Sequence, residues 1–137
     1  MNKRVIVVGA GASGMLAAGR ASEMGAEVLL LEKMERPGQK LLISGKTRGN
    51  LTNTKELDQF IAMYGENGTF LYRAFHRFFR EDLLALLGRY GVETKVEPGG
   101  RVFPASDDAR DVVRALERYL ADNGVTLLTR SRVKDIL

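Results

Sequence analysis

The sequence predicts an α/β fold that opens with a β-α-β unit, and three observations carry that prediction. Arg4-Val-Ile-Val-Val8 is a short β-branched run closed by Gly9, the mark of a buried strand. Glu27-Val-Leu-Leu-Leu-Glu32 is a second run of the same kind. Between Gly14 and Gly25, residues Met15, Leu16, Ala18, Ala21, Ser22 and Met24 suit a short helix able to press closely on a sheet. Strand, helix and strand follow one another within about thirty residues, which calls for parallel strands and a right-handed crossover.

The remaining elements follow in order. Residues 33–54 show neither a helical nor a strand period, are rich in Gly, Ser, Thr, Asn and basic side chains, and are expected to form one long loop. Loops of that length inside a compact domain are functional or disordered, and the absence of low-complexity bias favours function. Residues 55–91 are expected to be helical. Leu57, Phe60, Ile61 and Tyr64 share one face, and Phe70, Phe75, Phe78 and Phe79 are expected in the core. After a break at Arg80-Glu-Asp82, a third stretch carries Leu83, Leu84, Leu86 and Leu87. Pro98-Gly99-Gly100 predicts a turn between two short strands within 92–104. A helix is expected over 106–123, capped by Ser106 with Asp107 and Asp108 in its first turn and Val112, Val113, Leu116, Tyr119 and Leu120 on its apolar face. Strands are expected within 125–137, the second over Arg132 to Leu137.

Composition narrows the classes. The 137 residues are 45% hydrophobic and 28% charged, with 15 Gly and no Cys. A disulfide framework, a thiolate metal site and a cysteine nucleophile are thereby excluded, and a reducing, cytoplasmic setting is expected. No apolar run approaches the ~20 residues that span a bilayer, so no membrane partner is expected. The net charge is +4, and residues 33–48 alone hold Lys33, Arg36, Lys40, Lys46 and Arg48 against Glu35. Nucleic-acid affinity scales with the number of phosphates contacted along a spread of cations. One basic loop suits a small anionic ligand instead.

The motif that carries chemistry is Gly9-Ala10-Gly11-Ala12-Ser13-Gly14, a G-x-G-x-x-G pattern between the first strand and the first helix. Gly9 permits the tight turn, Gly11 lets backbone approach a pyrophosphate, and Gly14 lets the helix pack near the sheet. The helix N-terminus offers free N–H groups to phosphate. Glu32, at the end of the second strand, is placed to accept hydrogen bonds from both ribose hydroxyls and to repel a 2'-phosphate. The ligand is therefore expected to be NAD or FAD rather than NADP. Gly45-Lys46-Thr47 ends like a P-loop, but the position where its first glycine belongs holds Lys40.

These residues, with Ala18, Gly25 and Val28, resemble the FAD fingerprint of the glutathione-reductase-like flavoproteins. Pro37-Gly-Gln-Lys-Leu-Leu-Ile-Ser-Gly45, running into Arg48 and Asn50-Leu-Thr-Asn53, resembles a bacterial NAD(P)/FAD-dependent oxidoreductase family known as aminoacetone-oxidase-like or BaiN-like. Arg101-Val-Phe-Pro104, Ser106 and Ala109 match a later motif of that family. The resemblance implies a Rossmann-like, three-layer FAD/NAD(P)-binding fold, FAD as cofactor and NAD(P)H as electron donor to a small-molecule acceptor. It implies that Gly9, Ala10, Gly11, Ala12, Ser13 and Gly14 hold the pyrophosphate, that Glu32 and Lys33 meet the ribose, and that Lys40 lies near the diphosphate or adenine. Ser44, Gly45, Arg48, Asn50, Leu51 and Thr52 would line the approach to the flavin, and Val133 would offer backbone groups to the adenine edge.

The chain departs from the family pattern S-G-x-G-R-C-N at Thr47, where a glycine is usual, and at Gly49, where a cysteine is usual. Thr is not expected to adopt the positive φ open to Gly. Arg101 is left between a substrate or flavin phosphate and Glu97, and His76 is expected to be structural. No catalytic acid or base is assigned, and no metal ligands are. An NAD-binding dehydrogenase domain and a non-catalytic dinucleotide-binding module are the rival readings. Because a flavoprotein of this kind needs further strands and a substrate region, the 137 residues are expected to be the N-terminal part of a longer enzyme.

Overall fold

Three parallel strands form the main sheet of the computed structural model, which describes residues 3–137. β1 (Arg4–Val8) pairs with β2 (Glu27–Leu31) from Arg4 opposite Glu27 to Val8 opposite Leu31, and β2 pairs with β6 (Thr126–Leu128) on its other edge. The strand order is β1-β2-β6. α1 (Ala12–Glu23) connects β1 to β2 across one face of this sheet.

Alternation along β1 decides which face the helices cover. Val5 and Val7 pack on the core, whereas Ile6 and Val8 on the opposite face remain 58% and 59% exposed. α6 (Ala109–Asp122) lies beside α1, with Val112, Val113, Leu116, Tyr119 and Leu120 all buried as the apolar spacing requires. Each such side chain contributes roughly 1.5–3 kcal/mol of burial energy. The α1–α6 crossing is tight because Gly19 faces the Tyr119 ring, where an added Cβ would come within 2.1 Å.

The cap of α6 differs from expectation. Asp108, not Ser106, is the cap, accepting from the Arg110 N–H at 2.9 Å. Asp107 instead takes φ +56 and turns its carboxylate to Lys95 and Arg48. A carboxylate next to two cations gains more there than from a helix dipole.

The stretch 33–54 is not one continuous loop. It contains α2 (Gln39–Ile43) and the short strand β3 (Thr52–Asn53). A five-residue helix is too short to show a period, which is why it escapes a pattern search. β3 joins a second, antiparallel sheet with the hairpin β4 (Thr94–Glu97) and β5 (Arg101–Pro104), in the order β3-β5-β4.

Between β3 and β4 in sequence, 55–91 is helical as expected. It comprises α3 (Leu57–Ala62), a 3₁₀ segment Gly65–Leu71, α4 (Tyr72–Phe75) and α5 (Arg80–Arg89). Phe60, Phe75 and Phe79 meet edge to face or tilted at 5.2–5.6 Å. Phe70 is not in the core: it is 87% exposed, and Phe78 is partly so. The 3₁₀ turn, with three residues per turn, rotates Phe70 off the face an α-helix would have given it. His76 stacks on Tyr72 at the surface.

Residues 132–137 do not form the expected strand. They run as irregular chain across the open face of the main sheet, beside Ile6, Val8 and Leu31, without a ladder partner. A strand exists only where another strand satisfies its N–H and C=O groups, which an apolar pattern alone does not supply.

Candidate dinucleotide site

The turn from β1 into α1 is shaped by its glycines. Gly9 takes φ +96 and donates its N–H to the Leu31 carbonyl at 2.7 Å, tying the turn to the end of β2. Gly14 lies so close to that turn that a Cβ would sit 1.8 Å from the Gly9 carbonyl oxygen. Gly11 is the opposite case: a Cβ there would meet no protein atom within 4 Å. Its hydrogen faces open space at the mouth of the helix.

That mouth is the positive end of a twelve-residue helix with no side-chain cap and no acidic residue in its first turn. The N–H groups of Ala12, Ser13 and Gly14 have no intrahelical acceptor, and Ala12 and Ser13 are exposed. Ala10 is fully buried, and its carbonyl accepts from Gly38 N–H at 2.8 Å, which pins the start of the following loop against the cradle.

Glu32 is the one buried charged residue among those described, 8% exposed. Its Oε2 accepts from the Ala10 N–H and its Oε1 from the Met34 N–H, each at 2.8 Å. One carboxylate thus holds the cradle on one side and the chain after β2 on the other. Each oxygen keeps a second lone-pair direction for a ligand hydroxyl. The backbone of residues 130–131 closes in alongside, with Ser131 N–H donating to the Glu32 carbonyl and Arg130 N–H to the Met34 carbonyl, both at 2.8 Å. Val133 follows, partly buried, and makes no hydrogen bond to described residues through its own N–H or C=O.

The basic loop divides. Lys33 and Lys40 are exposed and make no ion pair with described residues. Arg48 does not stand free. It donates to Glu97 at 2.7 Å and to Asp107 at 3.2 Å, and stacks 4.1 Å above the Phe103 ring. Lys95 completes the cluster, 2.5 Å from Asp107 and 3.6 Å from Glu97. These cations hold the Glu97 and Asp107 carboxyls below their ordinary range, and the carboxylates raise Arg48 and Lys95. Arg101, weighed against Glu97 on sequence, does not reach it; its Nε donates to the Pro98 carbonyl at 3.2 Å.

Ser44 donates its hydroxyl to the Leu41 carbonyl at 2.8 Å and closes α2. Gly45, Lys46, Thr47 and Gly49 all have positive φ, from +55 to +81. Thr47 therefore adopts, at +68, the conformation expected to be denied to it. Its carbonyl accepts from Ala109 N–H at 3.0 Å, and Arg48 anchors the next residue, so neighbouring contacts hold the strained turn. Leu51 N–H donates to Val102, Thr52 pairs with Val102 in the small sheet, and Asn50 is exposed beside the turn. The structure thus gathers Gly9 to Gly14, Glu32 and the start of the loop into one cradle, while Arg48 and Thr52 belong to a second knot around β5. That knot of ion pairs was missed on sequence because Arg48 is 49 and 59 residues from the two carboxylates it meets.

Fold and glycine-rich turn together define a Rossmann-type α/β domain, of the kind that binds dinucleotides. The HI0933-like protein Rossmann domain model matches residues 3–137, and the chain belongs to that family. It is 35% identical over 133 residues to a 3-dehydro-bile acid delta(4,6)-reductase of Clostridium scindens, covering 96% of this chain and 32% of that protein. It is 32% identical over 131 residues to a ribosomal RNA dihydrouridine synthase of Escherichia coli, with the same shares covered. The chain spans about a third of the length of these relatives. Among solved structures, THI4 of Thermovibrio ammonificans superposes with a TM-score of 0.59 at 16% identity, over 93% of this chain and 38% of that one. CabE, an aromatic hydroxylase from angucycline biosynthesis, does so at 0.51 and 22%, over 95% and 24%. At such identities these two speak for the fold.

Proposed function

We propose that this chain is the FAD-binding part of a cytoplasmic, flavin-dependent oxidoreductase that takes electrons from NADH or NADPH and delivers them to a small-molecule acceptor. The observation that carries the reading is the open cradle over Gly11, set against a buried Glu32 carboxylate that is bonded to the same turn. A pyrophosphate fits where a Cβ would find only open space, and the uncapped N–H groups of Ala12, Ser13 and Gly14 would hold it. Glu32 would take the ribose hydroxyls and Lys33 would flank them. Lys40, on α2, would add positive charge near the diphosphate. The unpaired backbone groups of Val133 suit an adenine edge. Ser44, Gly45 and Asn50 to Thr52 would face the flavin side, with Arg48 holding that loop in shape through Glu97, Asp107 and Phe103. When bound, FAD supplies reversible hydride acceptance, while the protein supplies placement and electrostatics.

The acceptor class follows from the names of the relatives. By their names one is a 3-dehydro-bile acid delta(4,6)-reductase and the other a ribosomal RNA dihydrouridine synthase, which supports reduction of a carbon–carbon double bond. The reaction proposed here is the same: NAD(P)H, a proton and a conjugated C=C give NAD(P)⁺ and the saturated bond. The even balance of charge over residues 55–137 supports a small molecule over RNA as the acceptor.

Anaerobic addition of NADH or NADPH to the purified whole oxidoreductase, followed by a cyclic enone, tests the reading. Bleaching of a flavin band and its return with enone saturation is the expected result. A colourless protein that takes up no FAD but binds NAD would instead make it an NAD-binding dehydrogenase domain. Turnover with a uridine-containing RNA and not with enones would move the acceptor to RNA.

A further inference from the structure

We propose that Ala109 and Val113, one helical turn apart on α6, are positioning residues that hold the two ends of the dinucleotide site in register: Val113 seats the pyrophosphate end and Ala109 the turn on the flavin side. This role rests on the FAD reading proposed above and adds to it the element that joins its two halves. Residues four apart share one face of a helix, so both side chains point the same way. Both are buried, Ala109 1% exposed and Val113 6%.

A buried glycine from the stretch after β2 rests on each of them. At Gly38 an added Cβ would come 2.8 Å from Val113 Cγ2 and 3.6 Å from Met15 Cε of α1. The Gly38 N–H is the one that donates to the Ala10 carbonyl, so the seat on Val113 carries through to the glycine-rich turn. At Gly49 an added Cβ would come 3.1 Å from Ala109 Cα and 3.3 Å from Ala109 Cβ. The Ala109 N–H donates to the Thr47 carbonyl at 3.0 Å, so this turn is bonded to α6 as well as packed on it. The end of β5 closes the other side: a Cβ on Gly45 would lie 2.8 Å from Phe103 Cε1, and one on Gly49 3.6 Å from Pro104 Cδ. Strand end and helix start thus form one corner that holds the turn, which gives the sequence match at Phe103, Pro104 and Ala109 a physical reason. Interiors packed this closely pass on the displacement of a single methyl group rather than absorb it.

Two ligands separate the two ends: ADP, which reaches the pyrophosphate end alone, and FAD, which reaches both, each titrated into the whole oxidoreductase stripped of flavin. Ala109→Val has no open space to turn into and must displace the turn at Gly49. FAD affinity is expected to fall roughly tenfold in that variant, with ADP affinity unchanged. Val113→Ala removes the seat of Gly38, and ADP and FAD are expected to weaken together, each about fivefold. Amide exchange in the parent reads the same split without a substitution, and decides the matter if Ala109→Val fails to fold. ADP is expected to slow exchange at the Gly38 N–H alone, and FAD at the Gly38 and Ala109 N–H groups. Equal weakening of ADP and FAD in Ala109→Val would make Ala109 an ordinary core residue. That result, unchanged affinity for both ligands, or Ala109 exchange indifferent to FAD overturns the proposal and leaves the FAD reading standing. A parent enzyme that takes up no FAD overturns both.

Discussion

Gly11→Ala and Gly14→Ala separate ligand binding from folding within a single turn. At Gly11 the backbone is ordinary extended chain, φ −79 and ψ −172, and the new methyl group meets nothing within 4 Å. Stability should stay within about 0.5 kcal/mol of the parent, as for a surface change. The same methyl group occupies the space assigned to a pyrophosphate and keeps its oxygens beyond the ~2.8 Å of a charge-assisted N–H bond. Losing one such bond costs roughly 1.5–3 kcal/mol, or about 10- to 150-fold in FAD affinity. At Gly14 the methyl carbon would lie 1.8 Å from a backbone oxygen, where ordinary contact begins at 3.4 Å. Strand end and helix must part by about 1.6 Å, and overpacking of that kind costs about 1–3 kcal/mol or more. Urea unfolding without flavin and FAD titration by fluorescence quenching measure the two effects. Unchanged FAD affinity in Gly11→Ala, or a loss of stability equal to that of Gly14→Ala, would refute the assignment of the open space.

Other outcomes follow from the same contacts. Glu32→Arg removes the acceptor of the Ala10 and Met34 N–H groups and reverses the charge facing the ribose, so the variant should lose FAD in equilibrium dialysis; retention of normal flavin content would sink the role of Glu32. Thr47→Gly relieves a β-branched residue at φ +68 and should raise stability by about 1 kcal/mol in urea unfolding, whereas a lower midpoint would show that the turn is not strained. Burial, with the Glu23 carboxylate nearby, pushes the Tyr119 phenol up to about 12 from 10.0. The folded state then holds its proton longer than the unfolded chain, so this contribution is complete below pH 10 and is lost as pH rises towards 12. Tyr119→Phe should flatten the fall in stability over that window in pH-dependent melts, and an unchanged slope would place its cause elsewhere.

The parts of the structure legible in the sequence are those with local causes. The β-branched run before Gly9, the glycine spacing and the apolar run of β2 each show within a few residues, and the bond from the Ala10 N–H to Glu32 joins their ends across the parallel strands. The apolar face of α6 was equally plain, because a period of 3.6 survives any neighbour. The cap of α6 was misplaced by two residues because Lys95 on β4 and Arg48 in the turn after α2 claim Asp107. Residues 132–137 carry a strand pattern, yet no strand lies beside them to complete a ladder. Arg48 reads on sequence as lining the approach to the flavin, and its ties to Glu97, Asp107 and the Phe103 ring, brought together through the small sheet, have no sequence signal. Phe70 kept its helical spacing and still turned outward, since the segment wound as a 3₁₀ helix.

Titration of the purified chain with FAD, followed by competition with NAD and NADP, tests the central claim most directly. The account predicts one FAD per chain, bound with a shifted flavin absorption spectrum and not displaced by NADP, whose 2'-phosphate would confront Glu32. A chain that leaves the FAD spectrum unchanged, or that prefers NADP, would contradict it.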